Sequence, residues 1–319
     1  MTPHFFGVAL ATAALCMFSA NVLLIKQASE RVSLNLGFLL SVGVNLLFCG
    51  VLLAGQLVLS ETGIGWSWQA AFFFMLGGAF STHLGRWFFF EAVVRMGSAK
   101  ASLFQVSSPG FAALIAWIAL GETLSPIRLG AIVSTILGLA LIGYVPGMFS
   151  RPQGKPPGLD AVQTRARAKL FSWVKGSTLM LGTGGSLACA ISTVVRGAAI
   201  REWNQPLVGA LLGAVTGLLL HVVFSQEIRA VPESLRGADR HGVFLFLICG
   251  ALTISAQICA IWSLRYIDVA LSSLITLSTP LLVIPGGYFI FAKKEILSSR
   301  TWTGGAMVLA GVATLTLSR

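Results

Sequence analysis

A histidine and an arginine lie three residues apart in the third apolar run of the chain, at His83 and Arg86. At this spacing the two side chains share one face of a helix. An arginine in the middle of a membrane-spanning helix costs roughly 2.5 to 3.5 kcal/mol on insertion scales, so it normally faces a partner or a water-filled cavity. Arg86 is therefore a candidate for binding a carboxylate or phosphate group. The alternative is that Arg86 binds helix carbonyls or extends towards the end of the run near Glu91.

Two further stripes of polar residues each end beside a proline. Their members are Ser102, Gln105 and Ser108 before Pro109, and Ser273, Thr276 and Thr279 before Pro280. A proline inside a helix removes one hydrogen bond and displaces the carbonyl four residues earlier, so we predict a kink at both positions. Because each half then has a helix with a weakened middle, we expect both prolines to belong to the moving parts of the protein. The freed carbonyls and the hydroxyls must face a cavity or another helix, since they cannot face lipid. The alternative is a packing kink in which the hydroxyls bond back to their own backbone.

The two stripes belong to an internal repeat. Residues 91–144 recur as residues 262–315, at an offset of 171 residues that becomes 173 after the prolines. The aligned pairs include Pro109 with Pro280, Glu122 with Glu295, Asn21 with Ser192, and Arg86 with Gln257. A repeat that reaches back to the N-terminus indicates two homologous halves. Because polar residues recur at matched positions, Asn21, Ser192 and Gln257 join the candidate binding residues; interhelical hydrogen bonding is the alternative for Asn21 and Ser192.

The composition indicates an integral membrane protein. Hydrophobic residues make up 55% of the chain and charged residues only 10%, whereas soluble domains carry about 25% charged residues. The apolar runs are long enough for helices that cross a bilayer, which need roughly 20 residues, and too long for barrel strands. The net charge of +11 then belongs to the loops, where it suits anionic lipid headgroups and forms no continuous face for nucleic acid. The five cysteines lie in apolar runs and show neither a disulfide framework nor metal-ligand spacing.

The apolar runs predict ten membrane-spanning helices in two halves. The spans of the first half are 5–25, 36–59, 70–94, 98–120 and 126–145, and those of the second are 177–200, 206–224, 243–264, 269–292 and 301–317. A basic, proline-rich linker at 146–176 separates a first domain at 5–145 from a second at 177–318. Five is an odd number, so two halves of the same fold must lie upside down relative to each other. The predicted fold is an all-α membrane protein of two inverted five-helix repeats.

The turn after the fourth span has a distinctive sequence, Gly121-Glu122-Thr123-Leu124-Ser125-Pro126, and leads into a glycine-bearing last helix. Its weaker echo in the second half is Lys294-Glu295-Ile296-Leu297-Ser298, where Ser299 and Arg300 replace the Pro-Ile pair of the first copy. With the order of spans, these turns resemble the paired EamA domains of the drug/metabolite transporter superfamily. The resemblance covers both halves. It implies a ten-helix secondary transporter of small organic solutes, often an exporter, in the bacterial inner membrane, and it fixes no substrate.

The physics of an inverted repeat leads to a compatible expectation. Transporters of this construction bind substrate near the bilayer midplane between the halves and alternate access by exchanging the conformations of the two halves. The expected partners are a small solute that is anionic, zwitterionic or amphipathic, and the lipid bilayer, with the chain as a monomer or homodimer. The alternative is a membrane receptor or structural protein that transports nothing, but such a protein needs no polar stripe repeated in both halves.

Transport is expected to be secondary, that is, not driven by ATP bound to this chain. No cofactor, metal or enzyme activity is expected. Gly154-Lys155 is followed by Pro156 and does not complete an ATP-binding loop, and neither HExxH nor GxSxG occurs. Smaller relatives in the superfamily couple to protons through a glutamate in the first helix, which is absent from the first span here. His83 is the better candidate for proton exchange.

The basic residues predict the orientation of the chain. On the side of the two termini we count Arg128, Arg196, Arg201, Arg265 and Arg319. On the opposite side lie Lys26, Arg31, Arg95, Lys100, Arg151, Lys155, Arg165, Arg167, Lys169, Lys175, Arg229, Arg236, Arg240, Lys293, Lys294 and Arg300. Basic loops stay in the cytoplasm, so the charges predict that both termini lie outside. The family resemblance implies the reverse.

Overall fold

The computed structural model describes residues 2–29, 31–32, 34–59, 65–85, 88, 107–122, 125–143, 178–224, 235, 237–279, 281–283, 286 and 299–317. Regular structure in these ranges is helical throughout. The helices are α1 (Pro3–Ser29), α2 (Leu34–Leu59), α3 (Trp68–Gly78), α4 (Ser108–Leu120), α5 (Pro126–Gly143), α6 (Thr178–Glu202), α7 (Pro206–Phe224), α8 (Arg240–Ser263), α9 (Val269–Leu277) and α10 (Ser299–Leu317). The all-α fold of ten helices is confirmed. The linker 146–176 lies outside the described residues.

The outer surface of the helix bundle is apolar. Within the described ranges, five helices are long and apolar enough to cross a membrane, and shorter apolar helices accompany them. Large side chains such as Val58 and Leu59 are 86% exposed, which suits lipid and would be an aggregation hazard in water. At one end of the bundle the rings of Trp66 and Trp203 pack 5.1 Å apart. Tryptophan is enriched at the membrane–water interface, so this pair marks the membrane boundary on the side of the termini.

The third helix of each half packs against the first two helices of the other half. Helix α8 packs against α1 and α2, and its counterpart α3 packs against α6 and α7, the counterparts of α1 and α2. Three further contacts between the halves join a helix to its own counterpart, namely α2 with α7, α4 with α9 and α5 with α10. Another matched pair of contacts joins α1 with α9 and α6 with α4. This pattern is that of a two-fold pseudosymmetry. The interface between the halves therefore runs through the middle of the molecule.

Two helix crossings show the symmetry at the level of single residues. The ring of Phe246 in α8 fills the space left by Gly37 of α2, and the ring of Phe74 in α3 fills the space left by Gly209 of α7. Gly209 lies 172 positions after Gly37, and Phe246 lies 172 positions after Phe74. Since a side chain at either glycine would overlap a buried ring, these glycines serve close packing between the halves.

Helix α3 continues from Ala79 to Gly85 as a π-helix, whereas the equivalent part of α8 is a regular α-helix. The offset between equivalent positions is 172 residues at Gly78 and Gly250 but 171 at Pro109 and Pro280. The first half therefore has one extra residue between these points. A π-turn closes a wider ring than an α-turn and takes up such an insertion without breaking the helix. We infer that the π-segment is where the extra residue is accommodated.

The Gly121-Glu122 turn ties together three helices. Gly121 ends α4 in the left-handed region, at φ 66°, where a residue without Cβ is unstrained. The Oε1 atom of Glu122 accepts hydrogen bonds from Arg201 Nη2, near the end of α6, and from the backbone N–H of Val269, 2.9 Å away at the start of α9. The Gly121-Glu122 turn therefore contributes to the packing of the two halves. It joins the end of the fourth helix to two helices of the opposite half.

Replacing Glu122 by Gln should lower the thermal stability of the purified protein. The Glu122 side chain is 8% exposed and that of Arg201 is 35% exposed, so the loss of the charge leaves a partly shielded guanidinium without its counterion. We expect a cost of about 1 to 2 kcal/mol, measured as a lower melting temperature in detergent. Glu202→Gln is the matched control, because the exposed Glu202 carboxylate accepts a single bond from Ser67. Equal melting temperatures for the two variants would contradict the role of Glu122.

Candidate functional site

A cavity of about 530 Å³ lies between the two halves. Its volume suits a small organic molecule. The first half contributes α1, α2 and the π-segment, and the second half contributes α6, α7, α8 and α9. Aromatic rings of Phe18, Phe38 and Phe246 form part of the wall. The polar lining residues are Asn21, Ser41, Asn45, Ser81, Thr82, Ser192, Thr193, Arg196, Thr253, Gln257, Ser272, Thr276 and Thr279.

Among the described residues that line this cavity, the cation is Arg196 of α6. Its Nη2 atom donates a hydrogen bond to Ser81 Oγ across a distance of 3.0 Å. Its Nε atom is buried and has no hydrogen-bond partner within the described ranges. Counting Arg196 among the basic residues of the terminal side was therefore wrong. It lies well over a turn inside the helix, on the same face as Ser192, and it points into the protein.

Two amides of the cavity lining, those of Asn21 and Gln257, have no hydrogen bond assigned in the described part of the chain. Asn21 Oδ1 is buried and accepts no hydrogen bond from the described part of the chain. Gln257 lines the cavity from α8. A third amide is already used: in the orientation that satisfies it, Asn45 Nδ2 donates to the carbonyls of Gly250 (2.7 Å) and Ser41 (2.9 Å). Asn45 thus holds α2 against α8.

Two hydroxyls of the predicted stripe bond to nearby backbone carbonyls, whereas Ser273 Oγ is buried without a partner in the described ranges. Thr276 Oγ1 donates to the carbonyl of Ser272 at 2.8 Å, and Thr279 Oγ1 donates to the carbonyl of Thr276 at 3.0 Å. Ser192 Oγ donates across the interface to the carbonyl of Gly77 at 2.7 Å. All three side chains nevertheless line the cavity, and each hydroxyl oxygen keeps a lone pair that can accept from a ligand.

Several predicted site residues lie elsewhere or outside the described ranges. His83 belongs to the π-segment and its ring lies 5.1 Å from the ring of Phe224; it is not part of the cavity lining. Ser108 is 1% exposed at the start of α4 and does not line the cavity either. Arg86 and Gln105 lie outside the described residues, so their proposed roles stay predictions.

Pro109 lies in the first turn of a described helix. In the described ranges α4 begins at Ser108, so Pro109 occupies the first turn, where its missing N–H needs no partner. In the second half α9 ends at Leu277, and Ser278 follows in a non-helical conformation. Ser107 and Ser278 are equivalent positions at the offset of 171. Pro280 lies outside the described residues, and the moving role of both prolines stays a prediction.

Among the lining residues that sequence reasoning missed are Arg196, Ser81 and Thr253. Arg196 follows Ser192 by four residues, which places both on one face of α6 and is a signal that could have identified it. Ser81 and Thr253 are equivalent at an offset of 172 and both line the cavity. An alignment held at 171 conceals this pair, because the π-segment shifts the register. No cluster of metal-binding side chains occurs within the ranges searched.

Comparison with known proteins identifies the family. The model of the EamA-like transporter family matches residues 5–144 and 176–317. A search of curated proteins gives no match. A solved structure titled "Crystal structure of protein" superposes with a TM-score of 0.67 at 18% sequence identity, over 98% of this chain and 96% of that one. At this identity the similarity concerns the fold. Because the family model covers nearly all of both halves, the chain belongs to the EamA-like transporter family.

Proposed function

We propose that the protein is a secondary transporter, and more specifically an exporter, of small organic solutes across the bacterial inner membrane. The observation that carries the proposal is the cavity between the halves, whose polar lining comes from equivalent positions of the repeat. Asn21 and Ser192 form one such pair, and Ser81 and Thr253 form another. A polar cavity lined by both repeats, inside an apolar bundle, suits a solute site at the bilayer midplane.

The contacts between the halves suit alternating access. On the side of the termini, Glu122 of the first half binds Arg201 of the second, and Arg128 binds Asp268 at 3.0 Å. In an alternating-access cycle these ion pairs would have to separate for the cavity to open on that side. Ser278 follows α9 in a non-helical conformation, and its equivalent, Ser107, precedes the first residue of α4 in the described ranges. Discontinuous helices are the elements on which such transporters move.

Filling the cavity should abolish solute flux. We expect Thr276→Phe to reduce counterflow at least about tenfold, since the added ring occupies the cavity while the lost hydroxyl was bonded only to its own helix. The solute is first chosen by a thermal-shift screen of amino acids, nucleosides and organic anions. Its counterflow is then measured in liposomes that contain the purified protein alone.

The matched control is Thr12→Phe. Thr12 Oγ1 makes the same type of bond, to the carbonyl of Val8 at 2.9 Å, on an exposed face of α1. This variant should transport like the parent protein. A protein that binds a solute in the screen but gives no more flux than protein-free liposomes would be a receptor, and the proposed function would be wrong.

A further inference from the structure

Arg196 occupies space that two glycines leave open. A Cβ atom at Gly77 of α3 would lie 2.8 Å from Arg196 Cγ, and a Cβ at Gly213 of α7 would lie 3.4 Å from Arg196 Nη2. The side chain therefore passes between two neighbouring helices before its guanidinium reaches the cavity wall. A side chain confined in this way cannot extend to the membrane surface, as arginines near helix ends usually do.

The positive charge has no counterion in the described part of the chain. The cavity lining includes no aspartate or glutamate there. The described carboxylates that form ion pairs do so at the ends of the bundle, namely Glu122 with Arg201, Asp268 with Arg128 and Asp239 with Arg31. A buried charge without a partner costs several kcal/mol. A bound anion would offset that cost.

The surroundings of Arg196 define the rest of the ligand. Arg196 lines the cavity, and its Nε, buried against Gly77, has no partner in the described ranges. The single charge of this incompletely bonded guanidinium is matched by a carboxylate or similar monoanion on its cavity side. Asn21 and Gln257 offer amides, and the rings of Phe38 and Phe246 offer an apolar surface. The residue equivalent to Arg196 in the first half is Ile25, which also lines the cavity. The charge in the described lining therefore comes from the second half, and Ile25 and Phe38 of the first half add to the apolar surface.

We infer that Arg196 is the anion-binding residue of the cavity, and that the solute is a small organic monoanion with an apolar or aromatic body. This inference rests on the proposed function only in taking the bound anion to be the transported solute. The binding itself is independent of transport, because it is measured on the protein in detergent. Flux without any preference for anions would overturn the inference alone, and anion binding without flux would overturn the proposed function alone.

The first test uses pairs of probes that differ only in charge. Benzoate is compared with benzamide, and indole-3-acetate with indole-3-acetamide, by thermal shift. We expect at least tenfold weaker binding of the neutral amides to the parent protein. Arg196→Gln should remove this preference and Arg196→Lys should retain part of it. Arg240→Gln is the matched control, since it removes the same charge from an exposed position at the start of α8, and it should behave like the parent.

The second test needs no ligand, so it decides the case even if none of these probes binds. Cys189 lines the cavity on the same helix as Arg196. In a variant with alanine at the other four cysteines, Cys189 is labelled with an anionic and a cationic methanethiosulfonate reagent. We expect Arg196→Gln to lower the ratio of the anionic to the cationic rate at least about fivefold, by loss of the positive potential. An unchanged ratio, or equal binding of carboxylates by Arg196→Gln and the parent, would overturn the inference.

Discussion

Gly78→Ala is expected to destabilise the folded bundle by about 3 kcal/mol and to lower the yield of monodisperse protein. A Cβ atom at Gly78 of α3 would lie 2.5 Å from both the Cα and the carbonyl oxygen of Gly213 in α7. Because both obstacles are backbone atoms, no change of side-chain rotamer relieves the overlap, and the two helices must separate. The measurement is the melting temperature in detergent together with the elution profile.

Two further substitutions test the symmetry behind this prediction. Gly250→Ala should act like Gly78→Ala, since its Cβ would lie 2.7 Å from the carbonyl oxygen of Ser41. Gly50→Ala is the control, because its Cβ would meet no atom within 4 Å. That variant should be neutral or slightly more stable, since alanine is the better helix former. Equal losses at Gly50 and Gly78 would show that the close crossing of α3 and α7 does not limit stability.

A C-terminal fusion to alkaline phosphatase is expected to be active, and a C-terminal fluorescent-protein fusion is expected to be dark. The structure strengthens the charge argument, because Arg196 lies inside α6 and no longer counts for the terminal side. Only Arg128, Arg201, Arg265 and Arg319 remain there, against the sixteen basic residues of the opposite side. The positive-inside rule then keeps both termini outside.

The same reporters inserted within the linker 146–176 provide the internal control and should give the opposite pattern. Their insertion point lies across the membrane from the termini if the two halves are inverted. A fluorescent C-terminal fusion beside an active phosphatase in the linker would contradict the prediction. It would show that the topology implied by the family resemblance overrides the bias of the basic residues.

The helices were predictable because the bilayer restricts what a sequence can do. The predicted span 36–59 corresponds to α2 at Leu34–Leu59, and the predicted span 206–224 has the bounds of α7. In the hydrocarbon core of the bilayer, backbone N–H and C=O groups have no water to bond to, so a long apolar run forms a helix that satisfies them internally. The repeat of Pro109 at Pro280 then implied the two halves, and the family match supports that architecture.

The directions of individual side chains were less accessible. Asn21, Gln257 and Thr276 line the cavity as their positions suggested, but their role towards a solute stays a prediction. Arg196 was misplaced because its distance from the end of the helix allowed either a surface or an interior position. Only the contacts with Gly77 and Gly213 decide between the two. The π-segment was invisible too, since a one-residue insertion changes no hydrophobic pattern over so short a stretch.

The ion pairs at Glu122 and Arg128 have a consequence for the empty carrier. At the offsets of the repeat, Arg201 corresponds to Glu30, Glu122 to Glu295 and Arg128 to Thr301. The equivalent positions on the opposite side therefore cannot form the same ion pairs in the exchanged conformation that the proposed alternating access requires. Among the described residues that side holds one ion pair between the halves, Arg31 with Asp239, whose side chains are 51% and 44% exposed. Closure on the terminal side therefore gains more electrostatic energy than closure on the other side, and salt weakens that gain. Ionic strength should therefore shift the resting population between the two orientations of the cavity. The unloaded protein would then favour one orientation over the other, by an amount that depends on these ion pairs.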